Sequence, residues 1–241
     1  MKNHPFWNPC ARLQDFECFP RLSVASASGP WVTLQSGHQI LDAISSWWSK
    51  SLGHGHPRLK AALTRQMGQF EHVMGAQTTS PVLEHFCEAL LKRVPHCSQV
   101  LFASDGASSV EMALKMSLHA RQLQGQTHKN QFLALKQGYH GETVGALSVS
   151  DLGRFKAPYQ SMLFQSQFLH TVPYTTVPLH TQNHDDFWAI HILPQLQPLA
   201  SQLTAMIIEP LAQGASGMKF YGVDFLKKLA EFAKAHDIHL I

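Results

Sequence analysis

The spacing of apolar and polar positions changes along the chain, and the change separates an irregular beginning from a regular remainder. The first 50 or so residues follow no single period, and short strand-like runs flank a Ser-Gly turn in GPWVTLQSGHQILDAIS. Such alternation around a turn is typical of a small β element resting on a larger body.

Two helices are predicted next. In HPRLKAALTRQMGQF, apolar side chains recur at helical spacing at Leu59, Leu63 and Met67. SPVLEHFCEALLKRV begins with Ser80, a residue type that caps helices, and has Pro81 in the first helical position.

Strands and helices then alternate. Three compact apolar runs are predicted strands: QVLFAS (Gln99 to Ser104), QFLALKQ and LTAMIIEP. The helix-like SVEMALKMSLHARQ lies between the first two runs, and DFLKKLAEFAKAHD leads into a further strand candidate, IHLI. Apolar runs separated by amphipathic helices predict an α/β fold with a largely parallel sheet covered by helices on both faces.

Ligands bind at the carboxyl ends of the strands in such sheets, which directs attention to three loops. In SDGASS, a glycine and small residues at the start of a helix let backbone N–H groups converge on an anion, although an ordinary turn and helix cap has the same composition. In GYHGET, Tyr139 could stack on a planar ligand or pack on the core. Glu209, at the end of the third run, could act near a reacting group or cap a turn.

A pair of tryptophans, Trp47 and Trp48, precedes the sequence GHGHP. Adjacent strand residues face opposite sides, so at most one of the two rings fits a core and the other is a candidate pocket wall. His54 and His56 have no Cys, Asp or Glu close by in sequence, which is too few ligands for zinc, and no metal site is predicted.

Composition narrows the classes of function. The 241 residues are 44% hydrophobic and 15% charged, with a net charge of +3 and no basic run, which disfavours a surface for nucleic acid or another polyanion. Four cysteines without a CxxC pair are typical of a reducing cytoplasm. No apolar run reaches the roughly 18 residues of a membrane helix, and the first residues lack the apolar core of a signal peptide.

The three loops, taken in order, resemble a known family. SDGASSVEMALK, GYHGET and IEPLAQGASGM are similar to the fold-type I, pyridoxal-phosphate (PLP)-dependent aminotransferases of class III. HPFW and DAISSWWSKSLGHGHP narrow the likeness to the diaminopelargonate synthase branch of biotin biosynthesis, and it extends over essentially the whole chain. Within this branch the double tryptophan is the specific motif, and the loops are shared across the class.

The resemblance implies roles for the loop residues. Gly106, Ala107 and Ser108 would bind the cofactor phosphate through backbone N–H groups and the Ser108 hydroxyl. Tyr139 would lie against the pyridine ring of pyridoxal 5'-phosphate, and Glu209 would be close to the ring edge.

The resemblance also implies a reaction and an assembly. Trp47, Trp48 and Tyr139 would line the substrate pocket. The amino group of S-adenosylmethionine would pass to 8-amino-7-oxononanoate, giving 7,8-diaminononanoate with ping-pong kinetics. Members of the family are homodimers, so the early segment and the QFEHVMGAQTTSP loop are expected to face a neighbouring subunit.

Two positions depart from the family pattern. Phe6 replaces a tyrosine that usually follows HP, which removes a hydroxyl donor and affects the expected donor preference. Ala107 replaces a common Ser or Thr and removes one side-chain contact to phosphate.

By the resemblance, residues 1–56 form the N-terminal segment, with part of the small domain and a dimer contact, and residues 57–241 form the PLP-binding large domain. The aspartate that pairs with the pyridine nitrogen and the Schiff-base lysine match no position up to Ile241, and none of Lys115, Lys136 and Lys156 takes the lysine's place. These 241 residues alone are therefore expected to be inactive. Two alternatives stay open: a class III ω-amino acid aminotransferase, and a non-catalytic remnant or partner subunit.

Overall fold

A computed structural model describes residues 5–9, 11–12, 14–176 and 185–241. The chain divides into two compact units, Met1–Val94 and Pro95–Ile241. The division at residues 94 and 95 lies C-terminal to the predicted boundary between residues 56 and 57. The predicted boundary separates two regions by their expected function, and it stays a prediction.

The first unit contains a small antiparallel sheet in the order β1-β2-β3, as the Ser-Gly turn predicts. Its strands are β1 (Val24–Ser28), β2 (Trp31–Leu34) and β3 (Gln39–Leu41). The helices are α1 (Asp15–Cys18), α2 (Ser45–Trp48, a single turn), α3 (Pro57–Met67) and α4 (Pro81–Leu91).

The predicted start of α4 is confirmed. The Ser80 hydroxyl accepts a hydrogen bond from the backbone N–H of Leu83 at 3.3 Å, and Pro81 occupies the first helical position, where its missing N–H costs nothing. The predicted cap and proline therefore begin the helix as their chemistry requires.

The second unit is built on a four-stranded sheet in which every pair of neighbouring strands is parallel, in the order β10-β7-β4-β5. These strands are β4 (Gln131–Leu135), β5 (Gln167–Leu169), β7 (Leu203–Ile207) and β10 (His239–Leu240). A second, antiparallel sheet in the order β6-β9-β8 contains β6 (Tyr174–Thr175), β8 (Ala212–Gln213) and β9 (Lys219–Tyr221).

Helices cover both faces of the parallel sheet, which confirms the predicted fold class. Alternate residues of β4 separate two buried clusters: Leu133 packs with Leu229 of a helix on one face, and Phe132 packs with Leu114 of a helix on the other. The helices of this unit are α5 (Gly106–Leu123), α6 (Val144–Ser148), α7 (Gly153–Lys156), α8 (Asp185–Phe187), α9 (Leu193–Leu196) and α10 (Val223–Ala235). Shorter helical turns of 3₁₀ or π type span Ala157–Met162, Trp188–Ile192 and Gln197–Leu199.

One predicted strand is wrong. Gln99 to Ser104 forms no strand, and Leu101 and Phe102 are exposed. An extended segment becomes a strand only when a neighbour satisfies its backbone groups, and no ladder among the described residues includes this segment. It enters α5 as irregular chain.

Among the described residues, none of the helices combines the length and apolar content needed to cross a membrane.

Candidate active site

A carboxylate caps the N-terminus of α5. Asp105 Oδ1 accepts the backbone N–H of Ser108 at 2.8 Å, while Oδ2 accepts the Ser108 hydroxyl at 2.9 Å and the Ser104 hydroxyl at 3.0 Å. The Ser108 N–H, helped by these hydroxyls, lowers the pKa of the Asp105 carboxyl. Asp105 is therefore the cap of an 18-residue helix and already engages Ser108.

Space for an anion exists one residue further along. A side chain added at Gly106 would meet no atom within 4 Å, so a ligand can approach the backbone there. The positive end of the helix dipole lies at the same point, which favours negative charge. The geometry thus fits the predicted anion cradle, while binding by Gly106, Ala107 and Ser108 stays a prediction.

The GYHGET loop packs directly against this helix start. Gly141 has a φ of +132°, and a side chain at this position would lie 2.6 Å from the Ala107 Cβ. Only glycine fits such a close approach. Ala107, which departs from the family pattern, is thus in contact with the neighbouring loop.

A second contact joins the same two segments, and the sequence reasoning missed it. Glu111 of α5 accepts the backbone N–H of Gly145 at 2.6 Å, at the beginning of α6. The adjacent Thr143 makes no side-chain cap of its own, so the carboxylate of another helix takes that role. Glu111 lies one helical turn after Ala107, which puts it on the side facing GYHGET and is the signal that could have revealed it.

Glu209 joins the second and third loops. Its Oε1 accepts the backbone N–H of Tyr139 at 2.8 Å, and its Oε2 accepts the backbone N–H of Gly214 at 2.9 Å. Burial raises the pKa of the Glu209 carboxyl, and the two N–H groups oppose that rise. The Tyr221 hydroxyl donates to the Glu209 backbone carbonyl, so the residue is fixed at both ends.

Tyr139 and His140 take different environments on the GYHGET loop. The Tyr139 ring lies 6.3 Å from the Phe155 ring, centroid to centroid, and its hydroxyl donates to Glu142 at 3.1 Å. His140 is largely buried, and this burial lowers its pKa to about 4. His140 is therefore neutral near pH 7, and the half-buried Tyr139 ring remains the candidate for stacking.

A further buried side chain, Gln213, was also missed. Its Nε2 donates to the Lys136 carbonyl at 3.0 Å, and its Oε1 accepts the Tyr174 hydroxyl at 2.6 Å. The residue is fully buried and connects the third loop to the end of β4. Thus one unit brings these loops together: Glu209 binds the Tyr139 N–H, and the close approach of Gly141 to Ala107 joins the GYHGET loop to the start of α5.

Trp47 and Trp48 belong to the other unit and do not lie on a strand, so that expectation is wrong. All four residues of α2 have positive φ, from +46° at Ser46 to +67° at Trp48, and this left-handed turn leaves both tryptophans exposed. Neither ring belongs to a core, and their predicted role in substrate binding is not tested by this geometry.

The first histidine of GHGHP, His54, pairs with a carboxylate. His54 Nε2 lies 2.7 Å from Asp42 Oδ2, and both side chains are mostly buried. In the part of the chain that the structure describes, no cluster of three or more His, Cys, Asp or Glu residues could hold a metal ion.

Comparison with known proteins decides the family. The family model for aminotransferase class-III matches residues 16–241. The chain belongs to the class-III aminotransferases. The predicted family resemblance is therefore confirmed.

Curated relatives of this class-III chain carry the name adenosylmethionine-8-amino-7-oxononanoate aminotransferase. One from Helicobacter pylori is 32% identical over 98% of this chain, and one from Synechococcus elongatus is 35% identical over 98%. The aligned parts are 52% and 55% of those proteins, so the chain spans about half the length of the curated relatives it matches.

Solved structures share the fold. A protein of the same name from Methanocaldococcus jannaschii matches 98% of this chain and 51% of its own, with a TM-score of 0.86 and 23% identity. An amine transaminase from an uncultivated Pseudomonas species, solved in its PLP-bound form, has a TM-score of 0.84 and 26% identity over 99% of this chain and 55% of its own.

Proposed function

We propose that these residues are part of a PLP-dependent transaminase of biotin biosynthesis, which moves the amino group of S-adenosylmethionine to 8-amino-7-oxononanoate and releases 7,8-diaminononanoate. One observation carries the proposal, namely that contacts connect the three loops. The GYHGET loop meets the start of α5 where Gly141 approaches Ala107, and it meets the third loop where the Tyr139 N–H donates to Glu209. The substrates in this proposal are inferred from the names of the curated relatives. Two alternating substrates would give ping-pong kinetics.

The residues present fit pyridoxal 5'-phosphate as the cofactor. An anion has open access to the backbone at Gly106, at the positive end of a long helix. The N–H groups of Gly106 and Ala107 would hold the phosphate together with Ser108, whose own N–H and hydroxyl are shared with Asp105. When bound, PLP supplies the carbonyl group and electron sink on which amino transfer depends.

Tyr139 and Glu209 would set the position of the cofactor ring. The hydrogen bond from the Tyr139 N–H to Glu209 holds this loop against the third loop, so the backbone that carries the Tyr139 ring is fixed. The carboxylate uses one oxygen for each loop and would face the ring edge as a fixed acceptor.

Three lysines of the second unit, Lys115, Lys136 and Lys156, have other partners or positions. Lys156 Nζ donates to the carbonyls of Ser148 at 3.0 Å and Ser150 at 3.1 Å, so its ammonium is engaged in holding the backbone after α6. Lys115 and Lys136 are exposed. Because no lysine of residues 1–241 matches the family's covalent site, we propose that these residues alone do not catalyse transamination.

The assembly belongs to the proposal as well. A homodimer would bring the early segment and the QFEHVMGAQTTSP loop to a neighbouring subunit, and a cytoplasmic location agrees with cysteines that form no CxxC pair. Trp47 and Trp48 would form a wall of the substrate pocket, and Phe6 would preserve packing without donating a hydrogen bond.

A donor and acceptor screen tests the proposal. The polypeptide as its natural source makes it is loaded with PLP and given S-adenosylmethionine, ornithine or γ-aminobutyrate with 8-amino-7-oxononanoate, and 7,8-diaminononanoate is measured by mass spectrometry. We expect product with S-adenosylmethionine. Turnover with the ω-amino donors alone would favour an ω-amino acid aminotransferase, and no turnover with any donor would favour a non-catalytic partner subunit.

A further inference from the structure

The carboxylate of Asp42 is the centre of a small polar cluster in the first unit. Its Oδ1 accepts the backbone N–H of Ser46 at 2.9 Å, and its Oδ2 lies 2.7 Å from both the Ser46 hydroxyl and His54 Nε2. The Asp42 side chain is only 11% exposed. Three contacts therefore converge on one shielded carboxylate.

The segment that Asp42 holds has an unfavourable backbone conformation. Four consecutive residues, none of them glycine, have φ between +46° and +67° across Ser45–Trp48. Side chains disfavour this left-handed region, and such conformations persist only where the surroundings hold them in place.

Burial of the tryptophans does not hold the turn. The side chains of Trp47 and Trp48 are 67% and 62% exposed, so neither is anchored by a core. Within the turn, the Trp48 N–H donates to the Ile44 carbonyl and the Ser49 hydroxyl donates to the Ser46 carbonyl, both at 2.9 Å. These local bonds close the turn but leave Ser46 N–H and its hydroxyl dependent on Asp42.

His54 connects the cluster to the hairpin of β1 and β2. The backbones of His54 and Gly29 exchange two hydrogen bonds, of 2.8 and 3.0 Å, at the end of the hairpin that contains β1 and β2. A side chain at Gly53 would lie 3.1 Å from the Gly29 backbone, so this approach is tight. Asp42 thus links the left-handed turn to the hairpin through His54.

The charge of Asp42 suits this role. The Ser46 N–H and hydroxyl, together with His54, lower the pKa of the Asp42 carboxyl to about 2, so it is ionised near neutral pH. Hydrogen bonds to an ionised acceptor are stronger than those between neutral groups.

We infer that Asp42 is a positioning residue that fixes the Trp47–Trp48 turn and thereby sets the affinity for the amino donor. The donor part of this inference rests on the proposed function, in which both tryptophans line the substrate pocket. Asp42 itself acts through Ser46 and His54 and is not assigned to the reacting atoms.

The conformation of the turn is measured first, on the 241-residue chain. Two neighbouring indoles give an exciton couplet in the far-ultraviolet circular dichroism spectrum, and Trp47→Phe and Trp48→Phe identify it by abolishing it. We expect Asp42→Ala to lose the couplet and Asp42→Asn to keep part of it, because the amide oxygen can still accept the Ser46 N–H. Asp15→Ala is the matched control, since it removes a partly exposed carboxylate of the same unit that pairs with Arg12.

Ser46→Ala provides a second test if Asp42→Ala fails to fold. It removes only the contact between the Ser46 hydroxyl and Asp42. We expect a weaker couplet than in the Asp15→Ala control and an unchanged midpoint of thermal unfolding. A full couplet in a folded Asp42→Ala variant would overturn the inference. If Asp42→Ala is unfolded, a full couplet in both Asp42→Asn and Ser46→Ala would overturn it.

Donor affinity is measured second, on the polypeptide as its natural source makes it. We expect Asp42→Ala to raise the KM for S-adenosylmethionine about tenfold with little change in kcat, which is the signature of lost binding rather than lost chemistry. Asp42→Asn should recover part of that loss.

The outcomes separate two failures. Normal KM in Asp42→Ala together with raised KM in Trp47→Phe and Trp48→Phe would overturn the positioning role and leave the substrate wall standing. Normal KM in both tryptophan variants would overturn the substrate wall, and with it the donor part of the inference. An equal loss of kcat and kcat/KM in Asp42→Ala would also contradict a role in donor binding.

Discussion

Glu209 accepts the backbone N–H of Tyr139 at 2.8 Å, although the two residues lie 70 positions apart in the sequence. The other oxygen of the same carboxylate accepts the N–H of Gly214. One half-buried side chain therefore aligns two loops at the carboxyl end of the parallel sheet, and the candidate stacking residue is held by its backbone.

Replacing Glu209 with glutamine should loosen this alignment. The amide keeps one acceptor but presents an N–H₂ group to the second backbone donor, which leaves a half-buried N–H without its partner. We expect a loss of about 1–3 kcal/mol in the free energy of unfolding. Urea unfolding of Glu209→Gln measures it, with Glu231→Gln on the exposed side of α10 as the control. Equal stability of the two variants would contradict the alignment role.

Gly141→Ala tests the contact between the GYHGET loop and the start of α5. The new methyl group would lie 2.6 Å from the Ala107 Cβ, so one segment has to move. We expect a loss of about 1–3 kcal/mol from overpacking together with weaker PLP binding, measured by urea unfolding and by fluorescence titration.

Gly125→Ala separates the clash from backbone strain in that experiment. Gly125 also has a positive φ, +72°, but a side chain there would meet no atom within 4 Å. Gly125→Ala should lower the free energy of unfolding by only about 1 kcal/mol and leave PLP binding unchanged. A Gly141→Ala variant that resembles Gly125→Ala in both measurements would show that the close approach to Ala107 is absent.

His140 should make the second unit sensitive to acid. Burial lowers its folded-state pKa to about 4, whereas the unfolded side chain titrates near its ordinary value of 6.5. Between these values the unfolded state binds the additional proton, so stability is complete above pH 6.5 and falls as the pH decreases toward 4. The largest loss from this group is about 3 kcal/mol.

The measurement for His140 is urea unfolding at pH 7.5 and pH 5. His140→Gln should reduce the difference in stability between the two pH values, whereas His119→Gln, at an exposed position of α5, should leave it unchanged. The same pH dependence in the wild type and His140→Gln would contradict the assignment.

Asp237 should stabilise the turn between α10 and β10 through a buried cation. Arg121 is 1% exposed, and its Nη1 donates to Asp237 Oδ2 at 2.7 Å. Asp237→Asn keeps a residue type that tolerates the φ of +52° found there but removes the countercharge. We expect a loss of only about 1 kcal/mol in urea unfolding, because the Asp237 side chain is 64% exposed and Arg121 keeps its contact with Gln126 Oε1, with the exposed Asp186→Asn as the control. A loss no larger than in the control would contradict this.

The sequence predicts the centre of the second unit well, since β4 and β7 are long apolar runs and α5 and α10 are amphipathic. It does not predict β5, β6, β8 and β9, because strands of two or three residues are too short to show a period. The segment from Gln99 to Ser104 fails for the opposite reason: it has the composition of a strand, but strand formation depends on a neighbour that composition does not reveal.

Motif reasoning predicts the loops of the candidate site but not the side chains that join them. Tyr139 and Glu209 are prominent in their motifs, whereas Glu111 and Gln213 act through backbone groups 34 and 77 residues away, at Gly145 and Lys136. The left-handed turn at Trp47 and Trp48 could not be expected either, because none of its four residues is glycine and residue types alone do not show that Asp42 binds the Ser46 N–H.

A crystal structure of this chain grown with PLP tests most directly whether the start of α5 and the GYHGET loop together hold the cofactor. We predict phosphate density within hydrogen-bonding distance of the Gly106 and Ala107 N–H groups, and the pyridine ring against Tyr139. PLP bound elsewhere in the crystal, with none at the start of α5, would show that these two segments do not hold the cofactor.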